Sequence, residues 1–263
     1  MGRPTSQEAV APGELPARRL LRAEVLIVLA LSYGMAGLYA LVDLLRGYLV
    51  VHQPLSQQAA VVAAPAAPQA WLDISYQALD IASTLAPVFL VAYLLLRSGE
   101  SMATIGVDDS RPAEDTRWGL GLAAIVGGVG LGLLYAAKAL GINRDVIVGA
   151  GANRWWDIVL LVAQAAKTAI GEEVIVCGYL LHRFRQLGWG DGRSLVVSSL
   201  VRGSYHLYQG FGGFGGNFIL GLFFGRIFQK RGRVVPFIIA HFIIDAIAFV
   251  GYVELKKHAS WLP

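Results

Sequence analysis

The chain has 263 residues, 56% of them hydrophobic and only 15% charged, with a formal net charge of +4 and a mean hydropathy of +0.56. A soluble globular domain carries about 25% charged residues, so this composition excludes that class and points to a membrane protein. No basic run or glycine-rich phosphate loop supports a nucleic-acid partner, and a single cysteine excludes an internal disulfide and a cysteine-built metal cluster.

Residues 1–19 read as a disordered tail. An apolar run over residues 25–45 follows Arg18, Arg19 and Arg22; it is too long for a signal-peptide core and is read as a retained first span. Residues 53–70 form an Ala/Pro-rich loop, where Pro65 and Pro68 argue against a full span. Further apolar runs cover 76–96, 118–141, 155–182, 194–208, 214–229 and 234–253. A span needs about 20 apolar residues, so 194–208 and 214–229 are short. The expected fold is all-α, a polytopic membrane bundle of seven to eight transmembrane helices. It divides into N-terminal helices over 20–154 and a second helical group over 155–255. Lysines and arginines assigned by loop favour a cytoplasmic N-terminus, with Lys256 and Lys257 dissenting. Gly128 with Gly132, and Gly221 with Gly225, have the four-residue spacing that lets helices approach closely.

Ionisable groups inside spans are costly and mark functional cavities. Here they concentrate in the second group as Lys167, Glu172, Glu173, Arg202, His206, His241 and Asp245, while Asp80 and Lys138 lie near span ends and read as snorkelling. At about 1.5 Å per residue, Glu172 lies about 16 Å from the basic end at Arg183, His206 about 20 Å from Arg193, and His241 about 12 Å from Arg233. Three separate helices thus deliver polar groups to one layer. His241 and Asp245 share a helix face, as do Arg202 and His206. Glu172 and Glu173 are about 100° apart around a helix and are not expected to point to one spot. Glu172 reads as the functional acid and Glu173 as a structural one, paired with Arg202 or Lys167. Cys177 reads as a small core hydrophobe. A carboxylate with imidazoles in a membrane cavity suits activation of water, with Glu as general base and His holding the water or polarising a carbonyl. The same ligands could bind zinc, but no HExxH spacing occurs, so the cofactor is left unknown.

The segments GEEVIVCGYL, SYHLYQGFGGFGGN and PFIIAHFIIDAIAF together resemble the CPBP (Abi) family of intramembrane proteases, which includes the CaaX prenyl endopeptidases. The resemblance covers about residues 155 to 253. It implies that Glu172 is the general base, that His206 helps hold the attacking water, and that His241 and Asp245 stabilise the oxyanion; Glu173 and Arg202 are read as supporting residues. It also implies a helical bundle, commonly of eight helices, with a cavity open to the cytosol and to lipid. Two positions depart from the family pattern: Cys177 stands where the family has Arg, and Arg202 where it has Phe. One cation is lost and another gained, so Arg202 is expected to be the partner of Glu173. The implied activity is an endopeptidase acting on a membrane-bound peptide or protein substrate near the cytosolic face, by a glutamate/histidine-activated water with or without metal assistance. The alternatives are a non-proteolytic immunity or regulatory binding factor and, more remotely, a proton-coupled transporter. The expected setting is the lipid bilayer of the plasma (inner) membrane, with no nucleic-acid partner.

Overall fold

The structure, a computed structural model, describes residues 14–256 and 258. Helix α1 spans Glu14–Ala30, so the last residues of the expected tail are helical, while residues 1–13 lie outside the described residues. The run read as one span is broken: α2 covers Tyr33–Arg46, after a turn in which Ser32 takes φ −143. The Ser32 hydroxyl donates to the Val28 carbonyl at 2.6 Å, and Gly34 follows. Serine competition for the backbone beside a glycine is a common cause of a helix break. A π-helical stretch, Gly47–Val51, extends α2.

The Ala/Pro-rich loop also holds a strand. Residues Ala59–Val62 (β1) pair in parallel with Asp145–Val148 (β2), which amends the all-helical expectation by one small sheet. Helices α3 (Ala70–Arg97) and α4 (Pro112–Ala139) are long and apolar. Helix α5 (Trp155–Glu172) runs through a π-helical stretch, Glu173–Tyr179, into α6 (Leu180–Gln186). Then come α7 (Asp191–Ser204), α8 (Phe211–Arg231) and α9 (Val235–Lys256).

Five helical stretches among the described residues are long and apolar enough to cross a membrane: Tyr33–Val51, α3, α4, α8 and α9. Large apolar side chains such as Phe89, Val129 and Ile247 face outward on them, the pattern of helices whose outer surface meets lipid. The other two expected runs differ. Helix α5 carries Asp157, Lys167 and Glu172 and packs against α3 and α9 as an inner helix. Helix α7 has 14 residues and four serines, too short and polar to span as an isolated helix.

The two ends of the bundle are chemically distinct. One holds the β1/β2 sheet and Arg144, which bonds Asp43, Gln58 Oε1 at 3.0 Å and the Tyr208 carbonyl at 3.0 Å. The other holds Arg97 paired with Glu24, wholly buried Arg183 paired with Glu100 at 2.7 Å, and Arg233 paired with Asp108 and Asp115. Between them lies a core that includes Val28, Leu95, Ile105, Ile175, Leu180, Phe224 and Phe237, with Cys177 among them. Helix α8 approaches α7 closely because Gly221 and Gly225 face Ser199 and Leu195. Gly128 and Gly132, expected to act alike, face open space and pack nothing.

Candidate active site

The site forms where α5 gives way to its π-helical stretch. Val174, Ile175 and Val176 are consecutive β-branched residues, which crowd an α-helical turn, and Gly178 follows. The widened turn continues the helix while turning Glu172 and Glu173 inward, to 3% and 0% exposure. Insertions of this kind recur at functional positions. Contrary to the sequence expectation, both glutamates do reach one spot. One oxygen from each, with a ring nitrogen of His241, lie within 4.8 Å of one another, because long side chains on a widened turn converge although their Cα–Cβ bonds diverge.

Arg202, in the last turn of α7, fills the middle of this group. Its guanidinium forks onto Glu173 at 3.0 and 2.6 Å, the pairing expected from the exchange of cations between positions 177 and 202. The Nη2 atom also lies 3.5 Å from Glu172 Oε2 and 3.4 Å from His241 Nδ1. His241 on α9 meets Glu173 Oε1 through Nδ1 at 2.8 Å and Asp245 Oδ2 through Nε2 at 3.4 Å. Both oxygens of Glu173 are thereby taken. Glu172 differs: Oε2 accepts from the Tyr205 hydroxyl at 2.9 Å, and Oε1 has no hydrogen-bond partner among the described residues.

His206 does not continue α7. It sits in the turn after it, with Nδ1 3.0 Å from the Arg202 carbonyl. A carbonyl only accepts, so Nδ1 carries a proton, and in the neutral ring Nε2 is then the bare acceptor. That nitrogen has no partner among the described residues, and Glu172 is within coulombic reach of the ring.

Two tyrosines complete the shell, and sequence reasoning missed both. Tyr205 donates to Glu172, and its ring lies 4.6 Å from that of Tyr33 on α2. The Tyr33 hydroxyl abuts Gly171 and is buried with no hydrogen-bond partner among the described residues. Tyr205 stands beside His206 in the motif, the one signal that could have found it; Tyr33 has none. Lys167 lies elsewhere. It pairs with Asp80 at 2.7 Å, which removes it as a partner of Glu173 and gives Asp80 a partner in place of snorkelling. Lys138 likewise pairs with Asp145 at 2.8 Å.

Glu172, Glu173 and His241 are a chemically ordinary zinc donor set. The group does not fit while Arg202 stays, because its Nη2 touches all three would-be ligands and supplies the positive charge that an ion would bring.

Residues 154–247 match the family model described as type II CAAX prenyl endopeptidase Rce1-like. The matched segment runs from the start of α5 into α9 and contains every charged member of the cluster. No curated protein and no solved structure gives a significant match to the chain.

Proposed function

We propose that this chain, an integral membrane protein whose residues 154–247 carry an Rce1-like domain of the CPBP type, is an intramembrane endopeptidase that hydrolyses a peptide bond of a membrane-associated substrate. The observation that carries the reading is the division of labour between neighbouring glutamates. Glu173 has both oxygens engaged, whereas among the described residues Glu172 keeps Oε1 without a partner, and so does Nε2 of His206, a ring close enough to feel the Glu172 charge.

In the proposed reaction a water lies between Glu172 Oε1 and His206 Nε2, donating a hydrogen bond to each. Glu172 takes one proton as the water oxygen adds to the scissile carbonyl carbon. The developing oxyanion is stabilised by the His241–Asp245 pair, with Asp245 donating if it holds a proton and orienting the ring if it does not. Collapse of the tetrahedral intermediate breaks the C–N bond, and the proton on Glu172 passes to the leaving nitrogen. Tyr205 holds the second oxygen of Glu172 so that the first faces the water. Arg202 holds Glu173, and through it His241.

The end carrying Arg97, Arg183, Arg193 and Arg233 is assigned to the cytoplasm by its basic residues. Helix α1 starts at that end, since Glu24 meets Arg97 and Arg183 there, so the N-terminus is cytoplasmic in this reading. The binding-factor alternative drew its force from Cys177 in place of an arginine; the Arg202–Glu173 fork supplies the missing cation and weakens it.

The test uses purified protein in lipid with membrane-anchored peptides in ¹⁸O-labelled water. The reading expects one label in the new carboxyl terminus and a rate unchanged by chelators. Peptides that bind without being cut would favour the binding factor. Activity lost to a chelator and restored by zinc would overturn the metal-free step.

A further inference from the structure

The proposed oxyanion site is short of donors. His241 turns Nδ1 to Glu173 at 2.8 Å and Nε2 to Asp245 at 3.4 Å, so both ring nitrogens face carboxylate oxygens. An ionised Asp245 only accepts hydrogen bonds. Arg202 directs its terminal nitrogens at the two glutamates, and Tyr205 directs its hydroxyl at Glu172. A negative charge forming on a scissile carbonyl calls for a donor that no anion already holds.

Tyr208 has one. Its oxygen accepts from Gln209 Nε2 at 2.8 Å, and among the described residues its own hydroxyl hydrogen has no acceptor. A phenol keeps that hydrogen at neutral pH. A hydroxyl that accepts one hydrogen bond also donates more strongly, because the two bonds polarise each other. The phenol is close enough to feel the charges of both Glu172 and Asp245. These are the groups that flank the reacting carbonyl in the proposed reaction, the base on one side and the oxyanion residue on the other. The ring lies beside that of His206, with centroids 6.2 Å apart and planes 25° apart.

A donor stabilises developing charge best when it is held in place beforehand, and the turn that carries Tyr208 is pinned. Leu207–Gln209 form a 3₁₀ turn. Arg144 Nη1 donates to the Tyr208 carbonyl at 3.0 Å, and the Arg144 backbone N–H donates to the Gln209 carbonyl at 2.8 Å. Arg144 is 7% exposed and is itself held by Asp43 and Gln58. Beyond the turn, the Gly213 N–H donates to Asn143 Oδ1 at 3.0 Å. Gly213 also makes room for the Gln209 side chain, since a Cβ there would lie 2.6 Å from Gln209 Cβ and 2.9 Å from its Oε1. With Oε1 on the Gly213 side, the amide presents Nε2 to Tyr208.

We propose that Tyr208 is a catalytic residue of this site, its hydroxyl donating to the oxygen of the scissile carbonyl as that oxygen becomes an oxyanion. The inference rests on the endopeptidase reading and adds a donor to the His241–Asp245 pair. Its test includes a binding experiment that does not need cleavage.

The binding experiment uses Glu172→Gln protein in nanodiscs, with and without Tyr208→Phe, and two membrane-anchored peptides. One carries a phosphinate in place of the scissile amide, which puts a charged oxygen where the oxyanion forms; the other keeps its amide. Tyr208→Phe should weaken the phosphinate about tenfold or more and leave the amide peptide within about twofold. The ratio of the two affinities in one protein does not depend on how much of it is folded. In the otherwise unaltered protein, Tyr208→Phe should lower kcat by about 10²–10³-fold with little change in KM or in the unfolding midpoint. Phosphinate binding that Tyr208→Phe leaves unchanged, equal weakening of both peptides, or an unchanged kcat would overturn the inference. Phosphinate binding that depends on Tyr208, in a protein that never cleaves the amide peptide, would leave the donor standing and remove the endopeptidase reading.

Discussion

Replacing Arg202 by Met isolates the Glu173 pair. Arg202 is 1% exposed and Glu173 0%, so neither charge is screened by water. Breaking a buried pair by removing one partner costs about 3–5 kcal/mol, because the remaining charge is stranded. Here His241 still donates to Glu173 at 2.8 Å, which places the expected loss near the lower bound, about 3 kcal/mol. For domains of 150–250 residues 1 kcal/mol moves the unfolding midpoint by about 2–4 °C, so a fall of roughly 6–12 °C is expected. Tryptophan fluorescence of detergent-solubilised protein during heating measures it. The double variant Arg202→Met/Glu173→Gln should recover part of the loss, since no charge is then stranded. Returning the cation from the other helix, with Cys177→Arg and Arg202→Phe together, should recover most of it. An Arg202→Met protein that unfolds within 2 °C of the parent would refute the claim that this pair ties the π-helical stretch to α7.

Tyr205→Phe removes one hydrogen bond to a carboxylate, worth about 1.5–3 kcal/mol, and should lower kcat/KM by about 10- to 100-fold with the fold intact; unchanged kinetics would remove Tyr205 from the machinery. Tyr33→Phe deletes a buried hydroxyl without a partner among the described residues, so the unfolding midpoint should hold or rise; a fall in kcat in the same variant would show that the hydroxyl meets water or substrate. At the basic end, hydrogen bonds from Ser110 and then Arg233 hold Asp108 at about 2, below its ordinary 3.8. A lowered folded-state pKa gives stability that is present above 3.8 and lost as pH falls through about 2. Asp108→Asn should therefore flatten the acid limb of the unfolding-midpoint curve over that window, and superimposable curves would contradict the assignment.

The charged cluster was legible in the sequence for a physical reason: ionisable groups are expensive in apolar helices, so Glu172, Glu173, Arg202, His241 and Asp245 stand out against their surroundings. The residues alone left Arg202 and Lys167 as partners for Glu173, and the two departures from the family pattern, a cation lost at Cys177 and one gained at Arg202, pointed to Arg202. Other features left little trace. Tyrosine is ordinary in membrane helices, so Tyr33 and Tyr205 look like packing, and Tyr33 reaches the site from the far end of the chain. The break at Ser32 disappears when hydropathy is averaged over a span's length. The strand Ala59–Val62 sits in an alanine-rich stretch with weak β preference, and its partner lies more than 80 residues away. The convergence of Glu172 and Glu173 depends on a π-helical turn, which no α-helical projection anticipates.

The central claim is that two adjacent glutamates have different tasks. Its most direct test measures kcat/KM and the unfolding midpoint together for Glu172→Gln and Glu173→Gln. The expected result is a Glu172→Gln protein that folds like the parent but cleaves slower by at least about 10²–10⁴-fold, and a Glu173→Gln protein whose lost activity tracks a lost fold. A stable Glu172→Gln protein that cleaves at the parent rate would contradict the account.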